Sequence, residues 1–524
     1  MIRKNIYKWH RISSLIIAIP VLLWAVSGFM HPLMTTVKPQ VATQTLLPTP
    51  VDSTALELSL ENALSQNKID TIHNVRMVHI DTNWFYQVQL KNDEPPVYLS
   101  TQTGHLLRNG DQLYAQYIAK QFLQGQPRSE IKEADHADRG NQPPMQVTAA
   151  SMISTAQPAA PSSHDCCDAA TNCVLTDTTG SLVESVQPIQ SFNEEYKFIN
   201  RLLPVYKVQF DRADSIRVYV ETTQDRFAFA MDNRRATFDK IFGAFHTWEW
   251  MNALGNFKYV AMVLITALGF LTTCMGLYIF FITKTKKGTN AVARSRRQHR
   301  IISLIACLFT LMFTFSGGLH AWEKLFPETK VSDNSSHIIP SKDLSPDLHR
   351  MQIALKNAHI FNFSIAQIGN DRYWRVITGS AQKRAPEYLH FSDYSKLENG
   401  EIKHALYLSE KMSSHSQRDV QKIEPITKFS DEYGFVNKRL PVWKVSYGVN
   451  NNERFYIETG TGKCAAHFTD NYMVEGYSFA LLHKHHFMDW AGKSVRDIST
   501  MIGAALQVIM VLAGLFLFYR WMRR

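Results

Sequence analysis

His10-Arg11-Ile12-Ser13-Ser14-Leu15-Ile16 opens an apolar block near the start of the chain, and His299-Arg300-Ile301-Ile302-Ser303-Leu304-Ile305 opens another in its second half. The register holds through Ser27-Gly28 against Ser316-Gly317 and His31 against His320, with ten of 24 positions identical and no gap. Apolar helices share leucine and isoleucine by composition; they do not share two histidines at one spacing. Self-similarity of this kind marks an internal repeat. A second block, Phe192 to Val208 against Phe429 to Val445, repeats at another offset and carries Leu-Pro-Val-Tyr/Trp-Lys-Val in both copies. Continued at that offset, His246 falls opposite His483, Met251 opposite Met488 and Gly255 opposite Gly492. The chain therefore reads as helix, outer domain, helix, twice in one orientation. Parallel repeats imply a pseudo-two-fold axis along the membrane normal.

Four apolar blocks are long enough to span a bilayer: 12–34, 257–283, 301–325 and 498–521. The first follows Arg3, Lys4, Lys8 and Arg11 and could be a signal peptide, but no small-residue cleavage pattern follows, which favours an uncleaved anchor. Residues 284–300 form a basic segment with no acidic residue, and the C-terminus ends in Arg520, Arg523 and Arg524. With 1–11 these segments are expected in the cytoplasm, leaving 35–256 and 326–497 outside, in the periplasm of a Gram-negative host. The net charge of +10 clusters beside the apolar blocks. Topology already explains it, so no nucleic-acid partner is expected. Mean hydropathy of −0.19 argues against a chain made mostly of spanning helices.

Both outer segments read as mixed α and β. Leu56 to Asn67 is an amphipathic helix candidate, Val75–Ile80 and Trp84–Leu90 alternate as strands, and Thr-Gly turns join further strand pairs. This predicts small α+β modules, two in each segment. The first segment is longer, and its surplus is placed in a low-complexity insertion at 132–190. There Cys166, Cys167 and Cys173 could bind metal, form a disulfide or belong to a dispensable insertion; the second half has no counterpart.

The opening Tyr7-Lys8-Trp9-His10-Arg11, the Ser-Gly-x-x-His helix ends, the Leu-Pro-Val strands and the Thr-Gly turns together resemble the PepSY-associated transmembrane family over nearly the whole chain. The resemblance implies an α+β membrane protein: four transmembrane helices in two parallel repeats with PepSY-like extracytoplasmic domains, in the bacterial inner membrane with both termini cytoplasmic. Members are often linked to iron acquisition and include haem-containing reductases of ferric siderophores.

Within that frame the histidines become candidate ligands. His10 and His31, like His299 and His320, are 21 residues apart. On a helix that is about 30 Å of rise and roughly a 60° offset, which matches a hydrocarbon core of ~30 Å. Each helix thus carries one imidazole at either boundary, and two neutral imidazoles on one haem iron give a centre suited to electron transfer. Ser27-Gly28 and Ser316-Gly317, one turn before His31 and His320, would let a macrocycle approach the backbone or serve close helix packing. His246 and His483 are further ligand candidates; the plain alternative for all six is an interfacial polar residue at a helix end. Pairing is not fixed by sequence; at the inner level His10 with His299 has no obvious rival. The outer one stays open between His31 with His320 and, within each half, His31 with His246 and His320 with His483. His485 and His486 have no match in the first half.

The expected function is electron transfer through two haems b to a ferric siderophore held under the outer domains. No Gly-x-Gly-x-x-Gly follows a strand and the cytoplasmic segments are short, so electrons would come from quinol or a separate reductase. Two other classes stand beside it: a non-redox uptake permease for the chelate, and a regulatory membrane protein whose outer modules bind peptides. Transport predicts acidic or amide groups near the midplane, of which the four spans are nearly free.

Overall fold

The computed structural model describes residues 2–51, 56–91, 94–125, 182–283, 291–326, 331, 338–380 and 383–523. Cys166, Cys167 and Cys173 lie outside them.

Helix α1 (Ile2–Met30) runs into a 3-10 turn at His31–Thr35. The first segment then gives α2 (Leu60–Gln66), β1 (Thr71–Ile72), β2 (Asn74–Ile80), β3 (Asn83–Gln89), β4 (Val97–Ser100), α3 (Gly110–Gln124), β5 (Val183–Ile189), β6 (Val205–Phe210), β7 (Arg217–Glu221), β8 (Arg226–Met231) and α4 (Asn233–Phe245), before α5 (Phe257–Ile282). After α6 (Ala291–Glu323) come β9 (Ile339–Pro340), α7 (Leu348–Ala354), β10 (Ile360–Ile368), β11 (Asp371–Gly379), β12 (Arg384–His390), α8 (Gly400–Met412), β13 (Val420–Ile426), β14 (Val442–Tyr447), β15 (Arg454–Glu458), β16 (Lys463–Phe468), α9 (Asp470–Ser478) and α10 (Lys493–Met522).

Helices α1, α5, α6 and α10 are long and apolar enough to cross a membrane. They form a ring in which α1 and α6 each pack against both α5 and α10. Close approach depends on small residues: a Cβ on Gly318 would come within 2.8 Å of Thr266, and one on Gly503 within 2.7 Å of Phe309. Outward faces present Ile19, Leu264, Phe281 and Leu308, all exposed, as a hydrocarbon surround requires. Helix α6 starts at Ala291, inside the basic segment expected as a loop at 284–300. An apolar run marks the span and not the helix, and Ala, Arg and Gln extend a helix readily.

Each outer segment contains one three-stranded and one four-stranded antiparallel sheet, β2-β3-β4 with β5-β6-β7-β8 and β10-β11-β12 with β13-β14-β15-β16. Mixed helix and sheet was expected in each segment, without a strand count. Strand β5 was not: it occupies 183–189, within the supposed low-complexity insertion, and pairs with β6 from Val183↔Phe210 to Ile189↔Val205. Its Val183, Val186, Pro188 and Ile189 match Val420, Ile423, Pro425 and Ile426 of β13 at the offset of the Leu-Pro-Val block. An edge strand half open to solvent carries too few apolar residues to stand out from such a background.

The two outer segments share one core. Met77, Tyr86 and Leu64 from the first pack in the same cluster as Phe363, Trp374 and Met351 from the second. Asn362 accepts from the Met77 N–H and donates to the Met77 carbonyl, both at 2.9 Å, while Asn74 accepts from the Ile365 N–H at 2.9 Å. β1 pairs directly with β9. Farther along, Glu458 of β15 accepts from Arg226 of β8 and, at 2.6 Å, from Arg439, with all three side chains largely buried. Burial alone would raise the Glu458 carboxyl, but the two guanidiniums outweigh it and hold it well below the ordinary carboxylate range. Its stabilising contribution is therefore present above the ordinary carboxylate pKa and lost as pH falls through the depressed folded value. Glu458→Ala leaves buried Arg439 without a carboxylate and Arg226 with only its 3.6 Å contact to Glu221, and should cost about 3–5 kcal/mol, read as a lowered denaturation midpoint at neutral pH.

Candidate functional site

At the end of the bundle facing the sheets, here the head end, α4 and α9 bring two histidines to the helix tips. Both helices start on a side-chain cap, Asp232 accepting from the Arg235 N–H and Thr469 from the Tyr472 N–H. α4 ends at His246 as its C-cap, whereas α9 continues through a single π turn, Phe479–His483. The two imidazoles meet across the halves with ring centres 6.0 Å apart and planes at 82°.

Each ring is held by a serine of a long helix. His246 Nδ1 lies 3.0 Å from Ser27 Oγ, and His483 Nδ1 lies 3.1 Å from Ser316 Oγ. The Ser27 hydroxyl donates to the Leu23 carbonyl at 2.6 Å, so its lone pair accepts from His246 Nδ1–H. Ser316 repeats the arrangement, with a longer contact of 3.5 Å to the Phe313 carbonyl. With the Ser27 hydroxyl so engaged, His246 Nδ1 carries the proton and Nε2 keeps the lone pair, the form that ligates metals; at the longer Ser316 contact either atom of the pair can be the donor. Gly28 and Gly317 leave room beside the rings, their built Cβ positions lying 3.9 Å from His246 and His483 respectively. Burial pushes both imidazoles below their ordinary range, His246 to about 4, with Lys484 adding to the shift. At neutral pH both are uncharged.

The other four candidates go elsewhere. His31 receives Lys484 Nζ at 2.6 Å on Nε2 and faces Phe242. His320 Nδ1 donates to Glu475 Oε1 at 2.5 Å and faces Phe479. Of the six, His246 and His483 are the two whose rings touch, a pairing the spacing of His31 and His320 had not brought forward. At the opposite, basic end, His10 Nδ1 donates to the Thr272 carbonyl at 3.1 Å. A Cβ on Gly276 of α5 would lie 3.1 Å from the His10 ring, and one on Gly514 of α10 3.3 Å from His299. His299 Nδ1 is buried without a hydrogen-bond partner.

Neighbouring aromatic slots match in place but not in kind. Trp24 stacks on Trp248 at 4.9 Å and 7°, and at the corresponding positions Phe313 stacks on His485 at 5.5 Å and 0°. His485 is fully buried and donates or accepts at Ser499 Oγ, 2.9 Å away. It fills the place of an indole, which explains its lack of a histidine counterpart.

Above the pair opens a cavity of about 2050 Å³, lined by His31, His246, His320, His483, Trp24 and residues of all the sheet modules. That exceeds a usual small-ligand pocket of roughly 300–1,000 Å³, so it has room for more than one guest. Among the described residues no group of three or more His, Cys, Asp or Glu side chains forms a cage for a bare metal ion. Two imidazoles suit instead an iron that brings four nitrogens of its own. Imidazoles bonded to opposite faces of one metal, with bonds of about 2 Å, have ring centres roughly 6 Å apart. The residues fit a haem at the head end on this separation; at the basic end His299 Nδ1 is buried and unpartnered, and the His10 and His299 rings lie against Gly276 and Gly514.

Lys484, Glu475 and the two-way role of the serines were not evident from sequence. Lys484 and Glu475 fall opposite Thr247 and Phe238, outside any repeat, while Ser27 and Ser316 were repeated but read only as small. Ser27→Ala and Ser316→Ala each strand a buried Nδ1 and should cost about 1–3 kcal/mol, a larger loss of thermal stability in detergent than Thr273→Ala, whose hydroxyl serves only its own helix. No family model matches the chain, and no curated protein matches it.

Proposed function

We propose that the chain is a duplicated, PepSY-associated protein of the bacterial inner membrane that carries electrons outward to a ferric chelate in the head-end cavity. The observation that carries this reading is the serine-held, neutral His246–His483 pair beneath a large cavity. Haem b, when bound, would supply a one-electron carrier. His246 and His483 would hold it at the head end, with His31 and His320 beside them, and His10 and His299 would hold a second at the basic end. Ser27 and Ser316 keep the outer imidazoles oriented, and Gly276 and Gly514 give the inner ones space. Trp24 stacks on Trp248 and donates its indole N–H to the His246 carbonyl at 2.9 Å, beside the head-end pair. The chelated iron gains one electron, passes from ferric to ferrous, and is then weakly held by oxygen donors. Quinol or a separate reductase supplies the electron at the basic end.

Protein purified from haem-replete cells should show a low-spin b-type spectrum that changes on adding dithionite. His246→Ala and His483→Ala should each remove about half of the bound haem, as should His10→Ala and His299→Ala, quantified by pyridine haemochrome. Colourless protein, or a Soret band untouched by all four substitutions, would end this reading.

A further inference from the structure

The cavity wall is unevenly charged: ten Lys and Arg residues line it against seven Asp and Glu. Six of the seven carboxylates have an ion-pair partner, among them Asp239 with Arg235, Glu249 with Lys197 and Asp497 with Lys493. Of the lining ammonium groups without a carboxylate partner among the described residues, Lys38 is exposed, and Lys438 and Lys484 are the two withdrawn from water. Lys438, at the 3-10 tip between the four-stranded sheets, donates to Asn200 Oδ1 at 3.1 Å and to the Ala228 carbonyl. Lys484, beside His483, reaches the His31 ring. Among the described residues neither has a carboxylate within ion-pair distance, and both line the cavity.

An ammonium withdrawn from water and given only neutral partners is costly. Burial, then the nearby Lys38, pulls Lys438 down to about 8, in keeping with that cost. Neutral groups satisfy the hydrogen bonds of these side chains while leaving their charge unmet. An anion in the cavity would meet it.

We propose that the cavity selects an anionic chelate, whose carboxylate or other oxyanion groups meet Lys438 and Lys484, over a neutral or cationic one of similar size. This rests on the ferric-chelate reading and narrows it to a charge class. Haem propionates offer the same oxyanion chemistry and compete for Lys484 at the helix tips; Lys438, on the sheet side, separates the two sources.

The test uses full-length protein in detergent and gallium(III) complexes, which have the charge and shape of their ferric counterparts but are not reduced. Calorimetric titration with gallium citrate should show binding that weakens as salt rises. A cationic gallium trihydroxamate should bind at least tenfold more weakly. Lys438→Gln and Lys484→Gln should each weaken citrate-complex binding about tenfold, the scale of one charge-assisted contact, while Lys438→Arg should retain it within about twofold and so report on folding. Equal or tighter binding of the cationic complex, no binding of the anionic one, or unchanged affinity in both glutamine variants with haem retention lost only in Lys484→Gln, overturns the proposal. Because gallium binding needs no electron, a protein that binds gallium citrate yet takes up no haem keeps this inference and loses only the electron-transfer reading.

Discussion

A neutral imidazole has one donor and one acceptor, and in a buried place the donor has to be met. At the head end that requirement falls on two serines of the long helices. A serine inside a helix ordinarily turns its hydroxyl back on the preceding turn; Ser27 does so and still has lone pairs to spare for His246. The arrangement fixes three things together: the direction of the ring, the nitrogen that carries its proton, and the distance between α1 and the end of α4. Ser316 ties α6 to the end of α9 in the same manner. Stacking of Phe242 on His246 and of Phe479 on His483 adds to these two contacts in setting how the rings meet.

Much of this was legible from residue order, because spacing survives where composition misleads. The four apolar helices and the mixed helix and sheet between them follow from hydrophobic runs and periodicity. Which imidazole meets which did not follow, since it depends on where α4 and α9 stop, and a π turn at Phe479–His483 moves one ring relative to a plain helix end. Strand β5 stayed hidden because an edge strand needs little hydrophobicity. Partners such as Lys484 and Glu475 lie in no repeat, so only three-dimensional proximity identifies them.

The corresponding positions have drifted apart in chemistry while keeping their places. His31 sits by an ammonium and His320 by a carboxylate; an indole pair on one side answers a phenyl–imidazole pair on the other. Two flanks of one imidazole pair therefore differ in charge and polarisability. A group held between them would feel an electric field directed across the bundle as well as along it.

The shared core of the outer segments sets an order on how the molecule is made. Leu60, Met77 and Tyr86 finish their packing only against Met351, Phe363 and Trp374, and β1 finds its partner only in β9. Chains grow from the N-terminus and usually complete each domain as it emerges. Here the leading segment is left with an open apolar face until two more apolar helices have been synthesised and the trailing segment arrives. Over that interval the nascent chain exposes a surface that a chaperone would recognise, and a ribosome stalled before Ile339 would leave a half-molecule with nothing to close it.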